Sequence, residues 1–284
     1  FMKGNICEIG GGSNSVLSKI KNFSEIKYFY SFDKNLKLKK NNKKIIKIKN
    51  FFSKNFFEKN NNLKFDLIIH SHTFEHLYKP NEFLKIIKSV TSKKGKHIFT
   101  MPNMKVMIKK AYANAMNFEH PYFFDENLVD ALLVNNNFKI LKKIFYKEDH
   151  SIMYVTKILD QNKKIKYRNY IKNLKLFKKM FKFWKNDISK INKNINNSNS
   201  VFIFGAHIFS QMMLFNGLNK KNLIGILDND KNKIGNYLYG TKFKIFSPHE
   251  LQKIKSPSVI LRAGSYNDEI KKQLLKINSN TTII

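Results

Sequence analysis

Three consecutive glycines follow directly on a short apolar segment near the start of the chain. The apolar segment is residues 6–9 and contains one acid, Glu8; the glycines are Gly10, Gly11 and Gly12. Glycine adopts positive φ without strain and lets a ligand approach the backbone closely. Apolar residues at helical spacing resume at residues 16–20. The pattern therefore predicts a β-strand, a tight turn and the N-terminus of a helix, whose free N–H groups carry partial positive charge.

Strand and helix signals alternate over residues 5–158. Apolar strands are predicted at residues 6–9, 28–32, 45–48, 65–70 and 97–101. Helices are predicted at residues 82–90 and around residues 128–134. Near-continuous apolar strands separated by helices indicate a parallel sheet that is covered on both faces. Residues 138–146 and 152–158 are predicted to form a hairpin that completes this sheet.

A long amphipathic helix is predicted to separate two α/β regions. Its apolar residues recur at alternating spacings of three and four, at Tyr167, Tyr170, Leu174, Phe177, Phe181, Trp184, Ile188, Ile191 and Ile195. At 1.5 Å per residue, such a helix is about 45 Å long. Two interpretations are open: a connecting helix packed on its own domains, or a seam over residues 167–195 that joins two subunits of a homodimer.

A second, smaller α/β region follows a boundary rich in Asn and Ser at residues 192–200. Strands are predicted at residues 201–204, 223–227 and 259–261, with a helix at residues 207–216. The turn before this helix has a single glycine, so we do not expect a second dinucleotide site here. We divide the chain into residues 1–159, a linker helix over residues 160–199 and a C-terminal Rossmann-like domain over residues 200–284.

The charge of the chain favours an anionic partner. Lys and Arg number 53 against 20 Asp and Glu, a net charge of +33. A nucleic acid would suit this charge, and so would an anionic small molecule such as a nucleotide-linked sugar, which is the partner we expect. The excess is nearly all Lys and evenly spread, which also fits solvated lysines without a partner. No apolar run suits a membrane span, and the single cysteine, Cys7, allows no disulfide within the chain, so we expect a cytoplasmic protein.

Polar residues follow the ends of four predicted strands. Because the carboxyl ends of parallel strands share one edge, where α/β proteins bind ligands, we expect these residues to lie together. An acid after the second strand, Asp33, is suited to accept hydrogen bonds from both hydroxyls of a ribose, and Asn50 to contact an adenine edge. The candidate ligand-binding residues are Glu8, Gly10, Gly11, Gly12, Asp33, Asn50, His70 and Ser71.

Three segments carry motifs of one known family. Residues 8–13, Glu-Ile-Gly-Gly-Gly-Ser, residues 65–77 and residues 100–103 resemble the first motif, the fourth-strand motif and the end of the fifth strand of class I S-adenosylmethionine-dependent methyltransferases. The resemblance implies a Rossmann-like seven-stranded sheet and S-adenosylmethionine as cofactor. It also implies that Glu8, with Gly10 and Gly12, orients the charged end of the cofactor and that Asp33 holds its ribose. The family more often has Asp at the place of Asn50.

A narrower resemblance concerns the acceptor. Residues 117–124, Asn-Phe-Glu-His-Pro-Tyr-Phe-Phe, are similar to a motif of the sugar C-methyltransferase subfamily, and residues 204–206, 228–235 and 247–248 to its C-terminal domain. This implies methylation of a nucleotide-linked sugar or another surface-glycan precursor, of capsule or lipopolysaccharide, in a cleft between the domains. We expect the subfamily's N-terminal cysteine-rich zinc module to be absent or removed, and Asn117 replaces a Tyr, so an acceptor other than a keto-sugar is also open.

The expected reaction needs a base, because methyl transfer from a sulfonium requires alignment of the reactants and removal of a proton from the acceptor. Histidine, with a pKa of about 6.5, suits this task. His120 is the first candidate, with Glu119 orienting it or contacting acceptor hydroxyls; His72 and His76 are alternatives. We expect no metal, because His70, His72 and His76 lack a known ligand spacing.

Two other functions are open at this stage. The net charge of +33 favours a nucleic-acid methyltransferase, whose affinity for DNA or RNA would depend on salt. The other is a binding or scaffold module that has kept the fold without catalysis and assembles through the long helix.

Overall fold

The chain divides into two compact units. The structure, a computed structural model, describes residues 2–12, 16–35, 42–117, 119–147, 149–159 and 164–284. Unit 1 comprises Phe1–Met104 and Phe118–Asn169, and unit 2 comprises Lys105–Asn117 and Tyr170–Ile284. The segment Lys105–Asn117 thus packs with the C-terminal region, a placement the sequence did not predict. Residues 160–163 of the expected linker helix lie outside the described residues.

Unit 1 contains a seven-stranded sheet in the order β3-β2-β1-β4-β5-β7-β6. Its strands are β1 (Gly4–Ile9), β2 (Ile26–Phe32), β3 (Ile45–Ile48), β4 (Phe65–Ser71), β5 (Thr91–Pro102), β6 (Phe138–Tyr146) and β7 (Ser151–Ile158). Strands β1 to β5 are parallel, and β7 pairs antiparallel with both β5 and β6. The predicted parallel sheet and its closing hairpin are confirmed.

Two helices of unit 1 begin at residues suited to helix starts. The helices between β3 and β6 are α1 (Lys54–Lys59), α2 (Pro80–Val90), α3 (Met104–Lys109) and α4 (Glu126–Asn135), of which α3 belongs to unit 2 except for Met104. Proline stands first in α2, where its missing N–H needs no partner. Asp125 caps α4 by accepting a hydrogen bond from the N–H of Leu128. In α2, Leu84 and Ile87 are fully buried in the main core, together with Phe99 of β5 and Tyr154 of β7.

The connection between β1 and β2 differs from the prediction. A four-residue 3-10 helix, Val16–Lys19, follows the glycines where an α-helix was expected; residues 13–15 lie outside the described residues. The connection is short and contains serine, asparagine and valine, which form helices poorly. Of the residues that the structure describes, none places an α-helix N-terminus at this turn.

Unit 2 is built on a five-stranded parallel sheet in the order β10-β9-β8-β11-β12. Its strands are β8 (Val201–Phe204), β9 (Leu223–Leu227), β10 (Ile245–Phe246), β11 (Ser258–Leu261) and β12 (Thr282–Ile283). Its longer helices are α5 (Tyr170–Ile195), α6 (Ile208–Phe215) and α7 (Asn267–Ile277). The sequence predicted β8, β9 and β11; the other two strands have two residues each, too few for an apolar pattern.

The long helix α5 is buried along only part of its predicted seam. In its second half, Trp184, Ile188 and Ile191 are almost fully buried. In its first half, Tyr170 and Phe181 are 68% and 45% exposed. The seam between two subunits remains a prediction. Among the described residues, no helix has both the length and the apolar composition that crossing a membrane requires.

Candidate active site

The glycine turn lies beside the turn that follows β4. Gly10 donates its N–H to the carbonyl of Phe32 at 2.8 Å, which holds the end of β1 against the end of β2. On the other side, a Cβ added to Gly10 would lie 2.8 Å from the hydroxyl oxygen of Thr73. Ile9 is also in register with His70 at the end of β4. The carboxyl ends of three strands therefore meet around the glycines.

Glu8 lies beneath this turn and is 3% exposed. Its Oε1 accepts a hydrogen bond of 2.6 Å from the N–H of Val16. A Cβ added to Gly11 would lie 2.7 Å from the carboxyl carbon of Glu8, closer than non-bonded carbons approach. A side chain at position 11 would therefore press against the buried carboxylate, so this contact favours glycine.

Asp33 follows β2 and joins the same turn. Its Oδ2 accepts a hydrogen bond of 2.8 Å from the N–H of Gly12, and its Oδ1 accepts one of 2.7 Å from the N–H of Asn35. Gly10 and Gly12 both have positive φ, at 70° and 50°, which glycine adopts most readily. Each carboxylate oxygen accepts more than one hydrogen bond, so the half-buried Asp33 retains capacity for the hydroxyls of a ribose.

Two further candidates at this edge are exposed. Asn50 follows β3, and its side-chain oxygen accepts a hydrogen bond of 2.8 Å from the N–H of Phe51. Ser71 ends β4, and its hydroxyl lies 2.7 Å from that of Thr100. Asn50 therefore keeps its amide N–H groups for a ligand, whereas Ser71 shares its hydroxyl with β5.

The side chain of His70 lies inside the core, contrary to its expected contact with a ligand. It is 4% exposed and stacks on Phe99 with ring centroids 4.9 Å apart. Its Nε2 lies 2.9 Å from Nε2 of His97. Burial lowers the pKa of both histidines, that of His97 to about 3, so the pair is neutral at pH 7. The strand alternation that exposes Ser71 turns His70 inward.

His72 forms a pair with a buried acid that the sequence did not single out. Its Nδ1 lies 3.2 Å from Oε1 of Glu75, and its Nε2 lies 3.1 Å from the hydroxyl of Ser151. The Glu75 side chain is 2% exposed and that of His72 is 40% exposed. His72 adopts a φ of 49°, a conformation that costs energy in a residue with a Cβ. An acid three residues after a histidine in a turn is the signal that could have identified Glu75.

The other two candidate histidines, His76 and His120, pack against each other. The rings of His76 and His120 are 5.1 Å apart between centroids. Nδ1 of His76 lies 3.2 Å from the backbone carbonyl oxygen of Glu119. Metal-ligating atoms of Glu75, His76 and His120 all lie within 4.8 Å of one another. Glu119 thus contacts His76 through its backbone carbonyl; its expected role in orienting His120 stays a prediction.

The fold and this edge define a class of protein. A seven-stranded sheet with one antiparallel strand, a buried acid before a glycine turn and a second acid after β2 are typical of class I methyltransferases. Residues 1–143 of the 284 match the model of the family described as "Methyltransferase domain". The chain belongs to this family, and its cofactor is S-adenosylmethionine.

Other comparisons concern the C-terminal region and the fold. Residues 197–284 match a family described as "C2185-like, N-terminal". No curated protein matches the chain.

Three solved structures are similar over the methyltransferase part. The methyltransferase in complex with the Trm112 methyltransferase activator of Haloferax volcanii has 8% identity, a TM-score of 0.46 and coverage of 56% of this chain and 84% of its own. An S-adenosylmethionine-dependent methyltransferase from Mesorhizobium loti has 11% identity, a TM-score of 0.44 and coverage of 55% of this chain and 91% of its own. One from Clostridium acetobutylicum has 12% identity, a TM-score of 0.39 and coverage of 55% of this chain and 84% of its own.

Proposed function

We propose that this protein transfers the methyl group of S-adenosylmethionine to a hydroxyl or an acidic carbon of a small anionic acceptor, a nucleotide-linked sugar or another surface-glycan precursor. The His72–Glu75 pair carries this proposal, because it combines an accessible imidazole with a buried carboxylate at the edge that holds the glycine turn. The motif at residues 117–124 supports the choice of a sugar acceptor.

The residues around the glycine turn fit the cofactor. Bound S-adenosylmethionine supplies an activated methyl group on a sulfonium. Glu8 provides a buried negative charge beside the turn, and Asp33 provides acceptor oxygens next to Gly12. Gly11 leaves no room for a side chain above Glu8. These residues would hold the charged end of the cofactor and its ribose, and exposed Asn50 would contact the adenine.

His72 is the proposed base because its contacts fix its tautomer. An ionised carboxylate only accepts hydrogen bonds, so Nδ1 of His72 carries a proton and donates its hydrogen bond to Glu75. Nε2 then has the lone pair, and the hydroxyl of Ser151, which also lies 2.5 Å from Nδ1 of His150, can donate to it. An acceptor hydroxyl that replaces Ser151 as the donor would give its proton to Nε2. His120, the first candidate from the sequence, packs instead against His76.

The charge of the chain favours an anionic acceptor and supports one competing function. At +33, the protein would attract nucleotide sugars, but also nucleic acids. A nucleic-acid methyltransferase would bind DNA or RNA with an affinity that falls steeply with salt. A nucleotide-sugar enzyme would show turnover with small acceptors and no such requirement for a polyanion.

The test is release of S-adenosylhomocysteine from S-adenosylmethionine in the presence of a panel of nucleotide sugars. We expect His72→Ala to reduce turnover by about 10²–10⁴-fold, the usual contribution of a general base, with unchanged affinity for S-adenosylhomocysteine. His249→Ala, at an exposed histidine of unit 2, is the control. Full turnover in His72→Ala together with its loss in His120→Ala would return the role of base to His120. Turnover with RNA or DNA alone would favour the competing function.

A further inference from the structure

We infer that Glu75, His76 and His120 form a binding site for a divalent transition-metal ion in unit 1. Glu75 and His76 lie in the turn after β4, and His120 lies in the segment before α4. The structure brings their ligating atoms within 4.8 Å of one another. No sequence pattern groups these three residues as metal ligands; His76 was considered with His70 and His72 instead.

Glu75 provides the first observation that points to a cation. It is 1% exposed, and its Oε1 pairs with His72. Its Oε2 is buried and has no hydrogen-bond partner among the described residues. A buried carboxylate oxygen without a partner is unfavourable, and its charge calls for a positive group close by. A divalent cation beside His76 and His120 would meet this requirement.

His76 provides the second, independent observation. Its Nδ1 lies 3.2 Å from the carbonyl oxygen of Glu119. A carbonyl oxygen only accepts, so Nδ1 carries the proton and Nε2 carries the lone pair. Histidines that bind metals commonly donate one ring N–H to a backbone carbonyl in this way, which orients the other nitrogen toward the ion. The Glu119 carbonyl thus holds His76 in the tautomer that a metal requires.

The ligand types indicate which ions fit. Two imidazole nitrogens and one carboxylate oxygen suit Zn²⁺, Mn²⁺, Fe²⁺, Co²⁺ or Ni²⁺, whereas Mg²⁺ and Ca²⁺ prefer oxygen ligands throughout. Ligands about 2.0–2.1 Å from a tetrahedral Zn²⁺ stand about 3.4 Å apart. The observed limit of 4.8 Å therefore requires at most small side-chain rotations. Three protein ligands leave a position open for an exchangeable oxygen.

The open position gives the ion a role in the reaction. His72 contacts the same carboxylate, that of Glu75, so an acceptor oxygen on the ion would lie close to the proposed base. A metal-bound hydroxyl loses its proton more readily than a free one. This role rests on the proposed function, whereas binding of the ion does not.

Metal binding to the purified full chain tests the inference without cofactor or acceptor. The protein is stripped with a chelator and titrated with ZnCl₂ and, separately, MnCl₂ in a calorimeter. We expect one ion per chain for the parent and for the control His249→Ala. We expect His76→Ala and His120→Ala to weaken binding at least as much as loss of an orienting partner does, about 10–100-fold. Glu75→Gln, which keeps the side-chain shape, should weaken it similarly.

Affinity for S-adenosylhomocysteine reports whether each variant is folded. If Glu75→Gln does not fold, the two histidine variants alone test whether the metal site exists. The inference is overturned if the parent binds neither ion, or if both histidine variants bind as tightly as the parent. If the parent binds metal but methylates no acceptor, the metal site stands and the proposed function is wrong. If the parent methylates sugars but binds no metal, the proposed function stands and the metal site is wrong.

Discussion

The backbone N–H of Gly12 donates a hydrogen bond of 2.8 Å to Oδ2 of Asp33. Unit 2 repeats this arrangement, since the N–H of Ala206, in the turn after β8, donates at 2.7 Å to Oδ2 of Asp228 at the end of β9. In both units the other carboxylate oxygen accepts from the N–H two residues further on. An acid after the second strand therefore clamps the turn after the first strand, whether or not a cofactor is bound there.

This repetition provides a matched pair of variants for the cofactor site. Asp33→Ala should weaken binding of S-adenosylhomocysteine by about 10–100-fold, since hydrogen bonds to a charged group contribute about 1.5–3 kcal/mol. Asp228→Ala removes the same clamp from unit 2 and should leave this affinity unchanged. Calorimetric titration measures both. An Asp33→Ala variant that binds as tightly as Asp228→Ala would show that Asp33 does not contribute to cofactor binding.

The contact between Gly11 and Glu8 predicts a coupling between two substitutions. Gly11→Ala places a Cβ against the buried carboxylate and should lower the free energy of unfolding by about 1–3 kcal/mol, as overpacking does. In a Glu8→Ala background the same substitution should cost clearly less, because the opposing atoms are gone. Urea unfolding of the four proteins completes the cycle. Additive effects would show that the cost of the added methyl group does not depend on Glu8.

The sequence was sufficient for the features that depend on local pattern. Continuous apolar runs identified the five parallel strands, and the positions of Glu8 and Asp33 after their strands correctly predicted that both lie at the glycine turn. Tertiary contacts decided the rest. Whether His70 faces the ligand or the core depends on its pairing with His97 in β5, and the meeting of His76 with His120 depends on two separate loops. Neither pairing leaves a periodic signal, so neither was predictable from the sequence.

The buried histidine pair predicts acid sensitivity of unit 1. Burial lowers the pKa of His97 to about 3, whereas an unfolded histidine titrates at about 6.5. The unfolded state therefore binds protons that the folded state refuses as the pH falls below about 6.5, and stability is lost by up to about 1.4 kcal/mol per pH unit for each such histidine. Above about pH 6.5 the histidines are neutral in both states, so this loss of stability is absent.

Hydrogen exchange of the amides in β4 and β5 between pH 7 and pH 4, corrected for intrinsic rates, measures this loss. His97→Gln retains a hydrogen-bonding side chain that does not titrate. It should reduce the pH dependence, to which His70 still contributes, although it lowers stability at pH 7. His249→Gln, at an exposed position, should behave as the parent. A variant at position 97 with the parent's slope would contradict the assignment.

Arg262 and Asp187 link the end of β11 to helix α5 by a two-point ion pair. Nε donates to Oδ2 at 2.9 Å and Nη2 to Oδ1 at 3.0 Å. The remaining guanidinium nitrogen, Nη1, donates to the carbonyls of Leu261 and Ile284. Because the geometry uses the planar fork of arginine, a lysine cannot reproduce it.

Arg262→Lys should therefore lower the free energy of unfolding of unit 2 by about 1–3 kcal/mol. The chain's single tryptophan, Trp184, is 1% exposed in unit 2, so its fluorescence during urea unfolding reports on this unit. The matched control is Lys253→Ala, which removes the exposed Lys253–Glu250 pair at 2.9 Å and should cost less than about 1 kcal/mol. Asp187→Asn in the Arg262→Lys background should add little further loss, because the shared pair is already broken; a fully additive loss would show that the two side chains act separately.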